Sequence, residues 1–290
     1  MEASGNELIL KDIAQMGSTA GPEILQLTRT LYASRANRFG LHFDAAAAEV
    51  PYGPDPRHRL DIYRSSGSGS RPVLLFVPGG GFVGGGKSEH RHFYSNVGAC
   101  FAAQGFLVAA MNYRLAPAHS WPAGSEDVLA ALLWLQSNVA AFGGDPKRIA
   151  VLAQSAGATH VLGLLFHPRL AVSAPALRAV ALLSGLYLLT ESAPAGAHTY
   201  FGQRSPLFGD DPLTFSRESR PPLLLATAEF DPPFISEQAS FAAERLRASR
   251  WKAQSMHRFC GHNHFSPVHT LGIQADEVVS TLTAFFGDHA

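Results

Sequence analysis

The chain has 290 residues, 46% hydrophobic and 16% charged, and its 23 basic side chains balance 23 acidic ones; this suits one large globular domain, or one domain with a lid, and gives no footing for nucleic acid or an acidic membrane surface. No apolar run approaches the roughly 20 residues of a membrane span, and the acidic Glu2 and Glu7 stand at an N-terminus with no apolar run of signal-peptide length. Cys100 and Cys260, the only cysteines, are too few for a disulfide framework in a chain this long, which predicts a cytoplasmic setting.

Residues 1–50 read as an N-terminal helical section and 51–290 as the main domain. Within the first, Pro22-Glu23-Ile24-Leu25-Gln26-Leu27 opens a run with Leu31 and Tyr32 at helical spacing, and Pro22 suits a first helical turn. Pro51-Tyr52-Gly53-Pro54 breaks any helix. His58-Arg59-Leu60-Asp61-Ile62-Tyr63 alternates polar and apolar, as an outer strand does. Residues 65–70 are a Ser/Gly turn. Val73-Leu74-Leu75-Phe76-Val77 is a continuous apolar run, the pattern of a strand buried on both faces. Similar runs recur at 106–111, 149–152, 179–183 and 223–226, with a further strand at 253–259. Helical patterns lie between them at 91–104, 125–142, 155–166 and 236–249. Buried strands alternating with helices predict an α/β fold with a mainly parallel central sheet flanked by helices. Residues 190–215, rich in Gly, Pro, Ala and Ser, form a candidate lid excursion.

Ala153-Gln154-Ser155-Ala156-Gly157 follows an apolar run and precedes a helical one. A strand, a sharp turn with serine at its apex, then a helix is the context a nucleophile elbow requires. Only small residues fit two positions either side of that serine; Gly157 and Ala153 meet the need. A serine hydroxyl needs a base to take its proton and an acid to orient the base. In an open α/β sheet both belong beyond the C-terminal ends of strands. Asp231 follows the strand at 223–226, with Glu229 as rival; His262 and His264 follow the next strand. The order Ser155, Asp231, His264 is the Ser…Asp…His order of α/β-hydrolases. An oxyanion also needs rigid N–H donors. Ala156 at the helix start supplies one, and the loop Pro78-Gly79-Gly80-Gly81-Phe82 lets a backbone approach a ligand closely.

From about residue 50 onward the chain resembles the hormone-sensitive-lipase-like carboxylesterases of the α/β-hydrolase superfamily, with arylformamidases as relatives. The resemblance rests on Pro78-Gly79-Gly80-Gly81-Phe82-Val83, Asn112-Tyr113-Arg114-Leu115-Ala116-Pro117, Asp145-Pro146-Lys147-Arg148-Ile149, the serine elbow, Glu229-Phe230-Asp231-Pro232 and the glycine–histidine stretch at 261–265. It implies an α/β-hydrolase fold with a small helical lid built from residues 1–50 and part of 190–215. It implies Ser155 as nucleophile, Asp231 as acid and His264 as base, with Gly80, Gly81 and Ala156 as oxyanion donors. It implies a small-molecule ester as substrate and no cofactor or metal. Formamide, amide and lactone cleavage by the same triad stay open, as does a homodimer. Two departures stand out: Pro78 replaces the family's usual histidine before the glycines, and Ala153 replaces the elbow's first glycine.

Rival readings compete for the same residues. Gly81-Phe82-Val83-Gly84-Gly85-Gly86-Lys87-Ser88 fits the phosphate-loop pattern, but that reading leaves the elbow and the histidines unexplained. The esterase reading makes Lys87 and Ser88 surface residues at a helix start. His257, His262, His264 and His269 raise a metal, yet only Cys260 accompanies them at ligand-like spacing. Cys260 itself reads as an ordinary free thiol. A non-catalytic binding module sits badly with a full set of nucleophile, acid, base and glycine loop. Phe82, Trp121, Tyr200, Phe201 and Phe234 are candidates for lining the substrate pocket.

Overall fold

A computed structural model of the protein describes residues 5–38, 44–67, 69–88, 90, 92–202, 221–248, 251 and 254–289. Helices α1 (Gly5–Gln15) and α2 (Pro22–Arg38) come first. Strands β1 (Ala47–Pro51), β2 (Arg59–Tyr63) and β3 (Arg71–Val77) follow, then α3 (Ser95–Ala103), β4 (Leu107–Met111) and α4 (Ala123–Asn138). A short 3-10 turn leads into β5 (Gly144–Gln154), α5 (Ala156–Phe166), α6 (Pro168–Ala171), β6 (Val180–Leu183) and α7 (Ala195–Phe201). The chain ends with β7 (Leu223–Phe230), α8 (Pro233–Ala248), β8 (Gln254–Asn263), α9 (Ser266–His269) and α10 (Glu277–Gly287).

The eight strands form one sheet in the order β1-β2-β4-β3-β5-β6-β7-β8. The pairs β1–β2 and β2–β4 are antiparallel; the rest are parallel. The continuous apolar runs have their expected cause. In β3, Val73, Leu75 and Val77 face a core shared with α4, α5 and α8. Leu74 and Phe76 face the opposite core, shared with α3 and α10. Both faces are covered, so neither tolerates a polar alternation. Helix α5 is buried along its whole length and is accordingly apolar apart from Thr159 and His160.

Two expectations need correction. Strand β2 is not at the edge: β1 pairs outside it, with Ala47 opposite Ile62 and Val50 opposite Leu60, so Leu60, Asp61, Ile62 and Tyr63 are all buried. The helix read over 91–104 begins only at Ser95, because His90 and Phe93 exchange backbone hydrogen bonds in a tight bridge ahead of it. Strand β1 and helices α6, α7, α9 and α10 were not foreseen. Part of the candidate lid excursion, residues 203–215, lies outside the described residues, as do Arg91 at the start of one expected helix, Ser249 at the end of another, and Ala253 at the start of the last strand.

The N-terminal section packs on the end of the sheet where β8 terminates. Ile9 and Ile13 of α1 and Tyr32 and Ala36 of α2 form a separate apolar cluster with Phe93 and Ile273. Leu10 of α1 lies 3.4 Å from where a side chain on Gly261 of β8 would begin.

Candidate active site

Ser155 sits between β5 and α5 with φ 54° and ψ −122°, a backbone conformation that costs a non-glycine residue free energy. The surroundings hold it there. Its N–H donates to the carbonyl of Leu183 on β6 at 2.8 Å, and its own carbonyl accepts from Thr159 N–H one turn into α5. A side chain at Gly157 would run into the carbonyls of Val77 and Pro78, so that position must be glycine. Ala153 is a regular strand residue, paired with Val77 and Leu182, and its methyl is part of the core. The missing elbow glycine is therefore accommodated without a break in the strand.

Asp231 and His264 come together through strand register. Phe230 of β7 pairs with Asn263 of β8, so the next residue of each strand meets across the sheet end. Asp231 Oδ1 lies 2.7 Å from His264 Nδ1, and His264 Nε2 lies 2.9 Å from Ser155 Oγ. An imidazole that donates its Nδ1–H in a hydrogen bond to a carboxylate leaves Nε2 as the acceptor for a hydroxyl proton. The other carboxylate oxygen of Asp231 accepts from Ser184 Oγ and from Ala228 N–H, both at 2.7 Å. The rival Glu229 is spent elsewhere: it accepts from Gly261 N–H at 2.7 Å. His262 points away from Ser155. Its Nδ1 lies 2.9 Å from Ser266 Oγ, and burial pushes its pKa down against the pull of Asp276.

Ser155 opens on a cavity of about 350 Å³ that Gly80, Gly81, Ala156 and His264 also line. The glycine loop is tightly folded. Gly84 N–H donates to the carbonyl of Gly80 at 3.0 Å, and side chains at Gly80 or Gly85 would strike the loop's own backbone. Pro78, at the position of the absent histidine, offers its carbonyl to Tyr113 Oη at 2.9 Å. Arg57 ties the far end by donating to Gly85 O at 2.7 Å and to Tyr113 O.

Lys87 differs from expectation. It is buried, not a surface residue, and it pairs with Asp61 at 2.9 Å and with Glu49. Its backbone N–H donates to Asn112 Oδ1. Among the described residues no helix starts there; α3 begins at Ser95. The ammonium serves the buried carboxylate of β2, so the phosphate-loop pattern has a structural cause. Ser88 is exposed.

Of the five aromatic pocket candidates, Phe82 and Phe234 line the cavity. Trp121, Tyr200 and Phe201 do not. Tyr200 stacks behind Phe82, with ring centroids 5.0 Å apart, and its hydroxyl accepts from Gly124 N–H. Phe201 and Trp121 pack around that pair. Leu25, Leu186, Ile235 and Phe265 complete the apolar wall; the sequence reading missed them because nothing local marks a residue whose neighbours come from four separate segments. It also missed Gln154, whose Nε2 donates to His264 O at 3.1 Å, and Ser184, the second anchor of Asp231. Ser184 directly follows a predicted strand, and that position was the available signal. Among the described residues, no cluster of three or more His, Cys, Asp or Glu is arranged to hold a metal ion, and no helix is long and apolar enough to cross a membrane.

Comparison with known proteins adds to this geometry. The family model BD-FAE matches residues 60–166. Esterase LipC of Mycobacterium tuberculosis is 42% identical over 110 residues, which cover 37% of this chain and 27% of that protein. Carboxylic ester hydrolase LipN of the same organism is 31% identical over 235 residues, 72% of this chain and 61% of that protein. The matches thus span less than two thirds of these relatives' length. A hyperthermophilic esterase from the archaeon Pyrobaculum calidifontis superposes with a TM-score of 0.69 at 22% identity, covering 99% of this chain and 98% of that one. Its likeness is one of fold. With the serine elbow, the sheet order and these relatives in view, the chain has the α/β-hydrolase fold and is similar to esterases of that fold.

Proposed function

We propose that this protein is a serine carboxylesterase acting on small, uncharged esters through an acyl-enzyme. One observation carries the reading: a single imidazole, His264, bridges Ser155 and Asp231 at 2.9 and 2.7 Å on the wall of an apolar cavity. His264 Nε2 takes the Ser155 proton as Oγ attacks the ester carbonyl. The N–H groups of Gly80, Gly81 and Ala156 receive the oxyanion. Asp231, fixed by Ser184 and Ala228, orients the imidazole and stabilises its charged form. His264 returns the proton to the leaving alcohol, and water then releases the acid by the same base.

The cavity volume is near the lower end of small-molecule sites, and among the described residues its wall carries no Asp, Glu, Lys or Arg side chain; both support small neutral esters. Ala20, Gly21, Pro22 and Leu25 on that wall support a cap role for the N-terminal section. Free Cys100 and Cys260 support a reducing, cytoplasmic setting.

The test is intact-protein mass after incubation with a fluorophosphonate, beside turnover of p-nitrophenyl butyrate. Wild type should carry one adduct and turn over; Ser155→Ala should carry none and lose at least about 10⁴-fold in kcat. Substantial turnover in a clean Ser155→Ala preparation would sink the assignment.

A further inference from the structure

The residue before the proposed base makes more hydrogen bonds than a turn needs. Asn263 is wholly buried. Its Oδ1 accepts from the N–H groups of Phe265 and Ser266, each at 3.0 Å, closing a turn around His264. Its Nδ2 donates to Thr28 Oγ1 at 2.8 Å and faces the sulfur of Met16 at 3.6 Å. Thr28 is itself buried in α2. From the other side, Gln154 Nε2 holds the carbonyl of His264. The backbone of His264 is thus gripped twice, and one grip comes from outside the sheet.

Helix α2 begins at Pro22, and Pro22 and Leu25 line the cavity over Ser155. One helix therefore covers the site and fixes the loop that carries its histidine. The side chain joining the two must accept on one end and donate on the other, which an amide does and a carboxylate does not.

We infer that Asn263 is a positioning residue for His264, and that the hydroxyl of Thr28 on the N-terminal section completes the alignment of the catalytic base. The inference rests on the esterase reading, and it makes the cap part of the catalytic geometry as well as a cover. Small errors in placing a base lower kcat while leaving ground-state binding nearly unchanged.

The test compares Thr28→Val, which keeps shape and loses the oxygen, with Thr28→Ser, which keeps the oxygen. Both are assayed on p-nitrophenyl butyrate at a temperature where melting curves place every variant in the folded state. Expected is a kcat about tenfold below wild type for Thr28→Val with KM within about twofold, and near wild-type kcat for Thr28→Ser. The His264 ring-proton NMR signal, assigned with His264→Gln, should move in Thr28→Val and not in Thr28→Ser. Equal kcat in Val and Ser variants, or an effect confined to KM, overturns the inference in favour of simple cap packing. If Thr28→Val does not fold, Asn263→Asp decides, since it keeps the oxygen that accepts from both loop N–H groups and loses the Nδ2 donor to Thr28; kcat within twofold of wild type would overturn the inference. A wild type without turnover or adduct would instead sink the esterase reading, and the NMR comparison would still judge the alignment.

Discussion

A serine held at φ 54° and ψ −122° costs about 1–3 kcal/mol, and what it gains is reach. The hydroxyl stands clear of the sheet, within 2.9 Å of His264 Nε2. Each neighbour in the site has one assignment. Asp231 uses one oxygen on His264 and the other on Ser184 and Ala228, so it is fixed and not spare. His262, two residues before His264, is occupied with Ser266. The two histidines should therefore separate cleanly under mutation. His264→Ala should lose about 10⁴-fold in kcat, as removal of a triad base does. His262→Ala should lose no more than about tenfold, because it touches the triad only through Ser266 and the Asn263 turn. Steady-state rates on p-nitrophenyl butyrate check both; a larger loss for His262→Ala would make it the base.

At the scale of elements, the glycine loop is anchored by Lys87, whose ammonium lies between Asp61 of β2 and Glu49 of β1. Asp61 is buried and Glu49 is exposed, so Asp61 is the carboxylate that depends on this cation. Removing one member of a buried pair strands the other. Lys87→Met should lower stability by about 3 kcal/mol in urea unfolding, and Lys87→Met with Asp61→Asn should recover at least half of that. A loss below about 1 kcal/mol would mean that water screens the pair. This lysine also marks where sequence reading ran out. Its local pattern, Gly81 to Ser88, points to phosphate, while its partner lies on another strand and leaves no trace nearby. The central strands were legible because both faces are covered, which writes an unbroken apolar run. Strand β1 was not, since it is an edge strand with mixed burial. Helix α10 carried readable signals that went unused: Asp276 caps it by accepting from Val278 and Val279 N–H, and Val278, Leu282 and Phe286 recur every fourth residue to face the core. The meeting of Ser155, His264 and Asp231 was legible because strand ends fix where these residues stand. The cavity wall was not, because it is assembled across the fold.

For the whole molecule, burial of histidines sets an acid limit. Burial pushes His160, whose ring sits among Phe82, Tyr113 and Tyr200, down to about 3. Burial likewise takes His269 to about 3. In the unfolded chain both titrate near 6.5. Below that pH the unfolded state binds more protons than the folded one, so stability falls as pH drops from about 6.5 toward 3, by roughly 1 kcal/mol per pH unit for each ring. Carboxylates add their own losses at low pH, and a difference measurement removes them. His160→Leu should show a shallower decline than wild type between pH 7 and 4.5, by roughly 2 kcal/mol in urea unfolding; parallel curves would show that the ring accepts its proton inside the fold. The contacts of Asn263 with Met16 and Thr28 span 247 and 235 positions of chain, and these have a consequence for synthesis. Helices α1 and α2 leave the ribosome long before β8, the strand they pack on. Until β8 emerges they wait with Ile13 and Tyr32 uncovered, a long-range closure of the kind that folds slowly and invites aggregation. A nascent chain stopped before residue 254 holds Ser155 and Asp231 yet lacks His264 and the seat of α1 and α2. The proposed ester hydrolysis would then signal that translation has passed β8.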